Sequence, residues 1–233
     1  MAGATLGATA VFAANAEAAT YVVNSTDDDG TGTCNLSPGE CTLRDAISTA
    51  NADDTSDTVE FSVVSGTIAL DQGVIEIEDS ADLNINGPVP GTLTVSGGDA
   101  TGILQISGDG AVSISGLTLT DGSSTTNGGA IYASAPLTLT NVMISGNTAT
   151  NLGGGVYSED ELTISGSTIT GNAARIGGGI ASFGKYDVVI ENSTISGNSA
   201  DNGGGIFAIG ASLSLTQSTI SGNTSSQYGG GIV

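Results

Sequence analysis

The ionisable side chains set the first limits on the chemistry of this chain. Its 233 residues include 24 acidic and three basic side chains, for a formal net charge of −21, and no His. Without His, imidazole-based catalytic triads, His-type zinc sites and proton shuttles at neutral pH are excluded. The three cations, Arg44, Arg175 and Lys185, cannot neutralise a phosphate backbone, so ordinary nucleic-acid binding is excluded and docking on anionic lipid is disfavoured.

Cleavage of a glycan needs acids and bases that converge, and the sequence offers few. A hydrolase uses two carboxylates about 5–9.5 Å apart in one cleft. In the repetitive part of the chain the one close acidic group is Glu159-Asp160-Glu161. A lyase acting on polyuronate needs a cation near calcium carboxylates, and Arg175 and Lys185 have no neighbouring column of acids. We therefore assign no catalytic residue, and a carbohydrate-active enzyme, either a polysaccharide lyase or a glycoside hydrolase, is kept as the alternative function.

One acidic segment could hold a metal ion. Asp27-Asp28-Asp29-Gly30 places hard oxygen donors beside a turn, and such donors are the ligands that Ca²⁺ prefers. The segment lacks the spaced ligand pattern of a calcium-binding loop. Two interpretations stay open, a Ca²⁺ site at Asp27 and Asp29 or a solvated acidic turn, and no other cofactor is expected.

Residues 1–19 have the character of an export signal. Small and apolar side chains run to Ala14, and Ala16-Glu17-Ala18 is an A-x-A cleavage pattern, although no basic residue precedes it. We interpret this segment as the remnant of a signal peptide. No later segment has the roughly 18 uninterrupted apolar residues of a transmembrane helix.

Cys34 and Cys41 are the two cysteines of the chain, and turn-forming residues lie between them. In an exported protein such a pair is expected to form a disulfide. A metal site is disfavoured, because two soft ligands without His are too few.

A helix is predicted from Thr42 to Asn51. Thr42 is a suitable N-cap, and Asp45 in the first turn complements the positive end of the helix. The apolar side chains share one face of a 3.6-residue period: Leu43, Ala46, Ile47 and Ala50. We expect residues 20–58 to form an N-terminal cap whose helix lies over the open end of a β core.

A repeat of about 25 residues organises the remaining chain, residues 59–233. Apolar side chains recur at this period in three columns: Ile114, Leu139, Ile164, Ile190 and Leu215; Leu119, Ile144, Ile169, Ile195 and Ile220; Ile131, Val156, Ile180, Ile206 and Ile232. Three short β runs per period are typical of a parallel β-helix, in which coils stack about 4.8 Å apart and the columns fill the interior.

Two polar features of the coils follow from the same period. Four Asn side chains are expected to stack at one corner as a ladder of hydrogen-bonded amides: Asn147, Asn172, Asn198 and Asn223. The glycine runs suit another, tight corner, because glycine needs little room and tolerates positive φ. Ser167 is expected in a turn that is open to solvent.

The residues that flank the second apolar column predict two outward ranks that consist mostly of hydroxyls: Thr118/Thr120, Met143/Ser145, Thr168/Thr170, Thr194/Ser196 and Thr219/Ser221. Such a flat, nearly uncharged face could bind ice or a glycan through hydrogen bonds. The sequence ends at Gly231-Ile232-Val233, within a coil, so we expect the β-helix to be truncated at its C-terminus, with further coils or a C-terminal module in the full protein.

Two motifs resemble those of bacterial surface proteins. Cys34 followed by Cys41-Thr42-Leu43-Arg44-Asp45-Ala46 resembles the CSLREA motif, with Thr for Ser and Asp for Glu. Gly128-Gly129-Ala130-Ile131 and Ile144-Ser145-Gly146-Asn147 resemble the paired tetrads of chlamydial polymorphic outer membrane protein repeats. The resemblance implies an all-β, right-handed parallel β-helix that is secreted or at the cell surface, on the bacterial outer membrane or outside it.

The sequence therefore favours a non-catalytic, exported β-helix that acts as a surface or adhesin-like scaffold. Its expected partners are glycans or molecules of a host or cell surface. A carbohydrate-active enzyme, or a β-helix that binds glycan or ice, are the alternatives.

Overall fold

The chain follows one path that is repeated coil after coil. The computed structural model describes residues 17–30, 34, 40–52, 54–63, 65–210 and 212–233. Three short strands per coil join three parallel sheets, so the fold is an all-β solenoid of about seven coils with one short helix near its N-terminus. The expected signal segment falls almost entirely on residues outside this description, and so does the turn between the cysteines.

The strands are short, mostly of three or four residues. In chain order they are β1 (Thr20–Val23), β2 (Asp57–Phe61), β3 (Gly66–Ala69), β4 (Ile75–Ile77), β5 (Leu83–Asn86), β6 (Leu93–Ser96), β7 (Leu104–Ile106), β8 (Val112–Ser115), β9 (Thr118–Thr120), β10 (Ser123–Ser124), β11 (Ile131–Ala133), β12 (Leu137–Thr140), β13 (Met143–Ser145), β14 (Thr148–Ala149), β15 (Val156–Ser158), β16 (Leu162–Ser165), β17 (Thr168–Thr170), β18 (Ile180–Phe183), β19 (Val188–Glu191), β20 (Thr194–Ser196), β21 (Ser199–Asn202), β22 (Ile206–Ile209), β23 (Leu213–Thr216), β24 (Thr219–Ser221) and β25 (Thr224–Tyr228).

Three parallel sheets form the walls of the solenoid. The first sheet has the order β1-β2-β5-β8-β12-β16-β19-β23, the second β3-β6-β9-β13-β17-β20-β24, and the third β4-β7-β11-β15-β18-β22. Two short ribbons, β10-β14 and β21-β25, stand at one corner. Each strand pairs with its equivalents in the coils before and after it, as the repeat requires.

The strand register confirms the three predicted apolar columns. In the first sheet Leu139 pairs with Ile114 on one side and Ile164 on the other, and in the third sheet Ile131 pairs with Val156. All five are almost fully buried. Burying a side chain of this size contributes about 1.5–3 kcal/mol to the free energy of folding, so the columns are the main source of stability.

The first coils differ in length from the later ones but continue the same columns. Val59 pairs with Ile85, and Ile85 pairs with Ile114. Asp57 stands at the head of another column, opposite Leu83, and its Oδ1 accepts a hydrogen bond from the Ala19 N–H at 2.7 Å. The extra residues of these coils lie in turns.

The helix, α1 (Leu43–Ala50), forms as predicted. Thr42 Oγ1 accepts from the Asp45 N–H at 3.1 Å and the Asp45 carboxylate accepts from the Thr42 N–H, which is a capping box. The apolar face of α1 is buried and packs on β1, β2 and β4. The helix thereby covers the N-terminal end of the core, which would otherwise expose strand edges. The predicted disulfide joins Cys34 to Cys41 just before it.

Glycines allow adjacent coils to touch at one corner. Gly153 has φ +64°, and a Cβ on Gly154 would lie 2.4 Å from the carbonyl oxygen of Gly178 in the next coil. Side chains at these positions would separate the coils, as the sequence analysis predicted. Among the described residues no helix has the length and hydropathy of a membrane span.

Candidate functional site

A cleft of about 430 Å³ opens between the outer face of the third sheet and the loop that leads into β11. Gln105 and Tyr132 lie on the sheet side, where they are register partners in adjacent coils. Ser124, Thr126 and Asn127 lie on the loop side. We call this site the neutral cleft, because no Asp, Glu, Lys or Arg is among its described lining residues.

The fold positions these side chains by the alternation of the strands. Leu104 and Ile106 point into the core, so Gln105 between them points outward. The preceding coil holds the loop in place, because the Ser123 N–H donates to the carbonyl of Thr101 at 2.8 Å.

Tyr132 begins a row of aromatic rings that continues up the third sheet. Its ring centroid lies 5.3 Å from that of Tyr157, which lies 6.2 Å from Phe183, and Phe183 lies 5.3 Å from Phe207. The first two pairs are tilted, with interplanar angles of 41° and 45°, and the third is stacked at 22°. Tyr132 is the end of the row that borders the neutral cleft.

Glu159 lies against this row. The Tyr157 hydroxyl donates to Glu159 Oε1 at 2.9 Å. Burial raises the pKa of the Tyr157 phenol, and the hydrogen bond to Glu159 and its negative charge raise it further. Burial likewise raises the pKa of Tyr132, with a smaller contribution from the Glu159 charge. Both phenols therefore stay protonated at neutral pH.

The charged residues considered for glycan cleavage do not meet in one cleft. The Lys185 ammonium lies 5.6 Å from the ring centroid of Tyr186, and Arg175 is exposed on a turn. Glu159 is hydrogen-bonded to Tyr157, and Glu161 is exposed immediately before β16.

The acidic segment brings three carboxylates together. Asp27, Asp29 and Glu40 have ligand oxygens within 4.8 Å of one another, and all three residues are exposed. With one oxygen from each residue, this group supplies about half or less of the roughly six to eight oxygens that Ca²⁺ takes. The calcium site at Asp27 and Asp29 stays a prediction, with Glu40 as a third neighbour that the sequence analysis did not include.

Asp28 has a different role from its two neighbours, because it is buried and paired. Arg44 Nε donates to its Oδ1 at 2.9 Å and Nη2 to its Oδ2 at 3.0 Å. The N–H groups of Asp71 and Gln72 also donate to Oδ2, each at 2.9 Å. The carboxylate thus ties the leading segment to the helix and to the turn before β4.

Arg44 completes the same network from the helix side. Its guanidinium donates to the carbonyls of Gly73 at 2.6 Å and Val74 at 3.1 Å. The motif around Cys41 therefore acts as a structural latch, since it supplies a disulfide, a helix cap, an apolar face and this ion pair. Sequence reasoning placed Arg44 in the motif but did not find its partner.

The four Asn side chains of the corner form one continuous set of hydrogen bonds. Each Nδ2 donates to the Oδ1 of the next coil, from Asn147 to Asn172 (2.9 Å), from Asn172 to Asn198 (3.0 Å) and from Asn198 to Asn223 (2.9 Å). Each of these Oδ1 atoms also accepts a backbone N–H of the preceding coil. The first three side chains are fully buried, so the ladder satisfies polar groups that could not reach water.

The prediction for Ser167 was wrong. Ser167 is buried, with 2% of its surface exposed, and its hydroxyl accepts from the Val142 N–H at 3.1 Å. Ser193 Oγ accepts from the Ser167 N–H, and Ser218 Oγ from the Ser193 N–H, so the three hydroxyls form a second ladder. In the later coils serine occupies the position of the apolar Val142. This periodic replacement was the feature of the sequence from which the burial of Ser167 could have been predicted.

The predicted hydroxyl ranks lie in register on the second sheet. Thr168 pairs with Thr194, and Thr170 pairs with Ser196. The ranks are less open than expected at their N-terminal end, because Thr118 is buried and accepts a hydrogen bond from the Gly91 N–H.

Comparison with protein families identifies the fold class. The family model described as the right-handed beta helix region matches residues 91–233. The chain therefore belongs to the right-handed β-helix family, and the handedness expected from the sequence is confirmed. Comparison with curated proteins gives no match, and comparison with solved structures gives none either.

Proposed function

We propose that this protein is exported and acts as a non-catalytic, adhesin-like scaffold at the cell surface or outside it. The neutral cleft carries the proposal, because it is a formed site whose described lining offers hydrogen-bonding groups and no carboxylate, ammonium or guanidinium. A site of this composition is suited to binding, while acid–base chemistry needs groups that titrate near the working pH.

The N-terminal latch supports export. A disulfide is stable in an oxidising compartment, and Cys34–Cys41 stands directly before the helix whose motif resembles CSLREA. We assign the chain to the proteins with this motif and with repeats like those of the polymorphic outer membrane proteins. Glycans or other cell-surface molecules are its proposed partners.

The test combines localisation with turnover. The full open reading frame, tagged within an exposed loop, is expressed in its own host, and intact cells are treated with a protease that cannot enter them. We expect the protein to be cleaved on intact cells or found in the medium, and purified protein to release no product from polysaccharides. Retention inside the cell would overturn the export proposal.

A carbohydrate-active enzyme is the second candidate, favoured by Glu159 beside two phenols on a fold that polysaccharide-degrading enzymes share. Turnover that is lost in Glu159→Gln, but retained in the exposed control Glu191→Gln, would establish the enzyme and overturn the scaffold.

The hydroxyl ranks favour a further binding role, to ice or to a glycan, on the second sheet. Thermal hysteresis of ice growth that is reduced by Thr170→Tyr would support ice binding. A freezing curve identical to that of a neutral protein at equal concentration would exclude it.

A further inference from the structure

The neutral cleft differs in charge from the molecule that carries it. The chain has a formal net charge of −21, yet the described lining of the cleft contains no charged side chain. A surrounding negative potential repels anions. The nearest carboxylates add to that repulsion, since the Glu159 charge acts on Tyr132 and Glu76 is the register partner of Gln105 in the third sheet. The charge distribution therefore disfavours an anionic ligand, and the hydroxyl, amide and phenol groups of the lining suit an uncharged one.

Two amide side chains in the cleft are available to such a ligand. Gln105 on the sheet side and Asn127 on the loop side both line it, and neither side chain has a hydrogen-bond partner within the part of the chain that the structure describes. An amide offers two donors and an acceptor oxygen. Two amides in one cleft can therefore bind hydroxyl groups that both donate and accept.

Tyr132 supplies an apolar surface next to these amides. The Tyr157 ring lies against it on one side at a tilt of 41°, and its register partner on the other side is Gln105 rather than another aromatic residue. The face of an aromatic ring is electron-rich and attracts weakly polarised C–H groups. A ligand that has hydroxyls around its edge and C–H groups on its face matches this arrangement.

We infer that the neutral cleft binds an uncharged saccharide unit, with Tyr132 against its C–H face and Gln105 and Asn127 on its hydroxyls. This inference rests on the proposed non-catalytic role and names its ligand class. The cleft volume of about 430 Å³ suits a small ligand, since ligand pockets span about 300–1,000 Å³. The raised pKa of Tyr132 keeps its phenol neutral as well.

The test uses the full chain and two glycan panels. Neutral oligomers of glucose, galactose, mannose and N-acetylglucosamine are compared with oligogalacturonates on an array, and dissociation constants of the hits are measured by calorimetry. We expect hits among the neutral oligomers, with an affinity that is the same at low and high salt. Gln105→Leu should weaken binding about fivefold to tenfold through loss of a hydrogen bond.

Tyr132→Ala should weaken binding by a similar factor, while Asn84→Leu and Tyr186→Ala remove an amide and a ring elsewhere and should leave it unchanged. Absence of neutral hits for folded protein, binding confined to oligogalacturonates, or equal effects of the controls would overturn the inference. Release of shortened oligomers during the titration would overturn the non-catalytic role instead. The binding of the Gln105 and Tyr132 variants would then still decide whether the neutral cleft is the site.

Discussion

Arg44 and Asp28 form a two-point ion pair between the helix and the leading segment of the chain. Both guanidinium–carboxylate distances are 2.9–3.0 Å, and the Asp28 side chain is 1% exposed. Because both groups also bind the backbone of residues 71–74, the pair fixes the cap to the first coil. A bidentate pair of this kind gives orientation as well as energy.

Arg44→Ala is expected to lower the free energy of unfolding by about 3 kcal/mol, because it leaves the buried Asp28 without its counter-charge. Urea denaturation followed by circular dichroism measures the change. Arg175→Ala removes an exposed guanidinium and should change the stability by less than about 0.5 kcal/mol. Equal effects of the two variants would show that the latch does not stabilise the cap.

Asn172→Leu is expected to lower the free energy of unfolding by at least about 3 kcal/mol. The substitution removes the oxygen that accepts from the Asn147 N–H and Nδ2, and it removes the Nδ2 donor to the Ile144 carbonyl. Each buried group that is left unsatisfied costs about 1–3 kcal/mol. Asn84→Leu, on the outer face of the first sheet, makes the same replacement at a side chain that forms no hydrogen bond with the described residues. Matching midpoints in urea for the two variants would contradict the ladder.

Ser167→Ala should destabilise the fold by about 1–3 kcal/mol, because the buried Val142 N–H loses its acceptor. An exposed turn serine would give almost no change. The measurement is again the urea midpoint, with Ser165→Ala on the solvent side of β16 as the control. A neutral result for Ser167→Ala would restore the exposed placement.

Gly154→Ala is expected to reduce stability by about 3 kcal/mol or to prevent folding, since its Cβ would lie 2.4 Å from Gly178 O and 2.5 Å from Ala173 O. Backbone atoms on both sides cannot move without separating the coils. Gly102→Ala has its nearest neighbour at 3.7 Å and no positive φ, so it should be neutral or slightly stabilising. A soluble Gly154→Ala protein with an unchanged melting temperature would refute the close approach.

The tyrosine row should make the protein sensitive to alkali. The pKa of Tyr157 is raised above its usual 10.0 in the folded state, so its contribution to stability is complete below pH 10 and is lost as the pH rises towards the folded value. Phenolate absorbance should therefore show at least one tyrosine that ionises late, together with unfolding. Glu159→Gln should lower that pKa, while burial keeps it above the usual value. Glu191→Gln is the control, and an unaltered titration in Glu159→Gln would contradict the contact.

Much of the core could be predicted from the sequence because the fold is a stack of equivalent coils. In such a stack the residue one period away is the spatial neighbour, so the spacing that places Ile144 at 25 residues from Leu119 already specifies their pairing. The helix could be predicted for a local reason, since Thr42 and Asp45 are three residues apart and cap each other. The exposed position predicted for Ser167 was wrong, because serine is common in solvent-exposed turns. Its burial could have been predicted from the period, since it occupies the position that the apolar Val142 has in the preceding coil.

The contacts that do not repeat were decided only by the tertiary structure. The pairing of Arg44 with Asp28, and the placement of Gln105 and Asn127 in the lining of the neutral cleft, depend on how turns of unequal length pass over one another. No repeat period relates these residues. The sequence therefore gives their chemical types but does not predict how close they lie to one another. The repeat therefore determined the interior, where translation by one coil fixes each neighbour, and the folded path of the turns determined the surface on which a partner would bind.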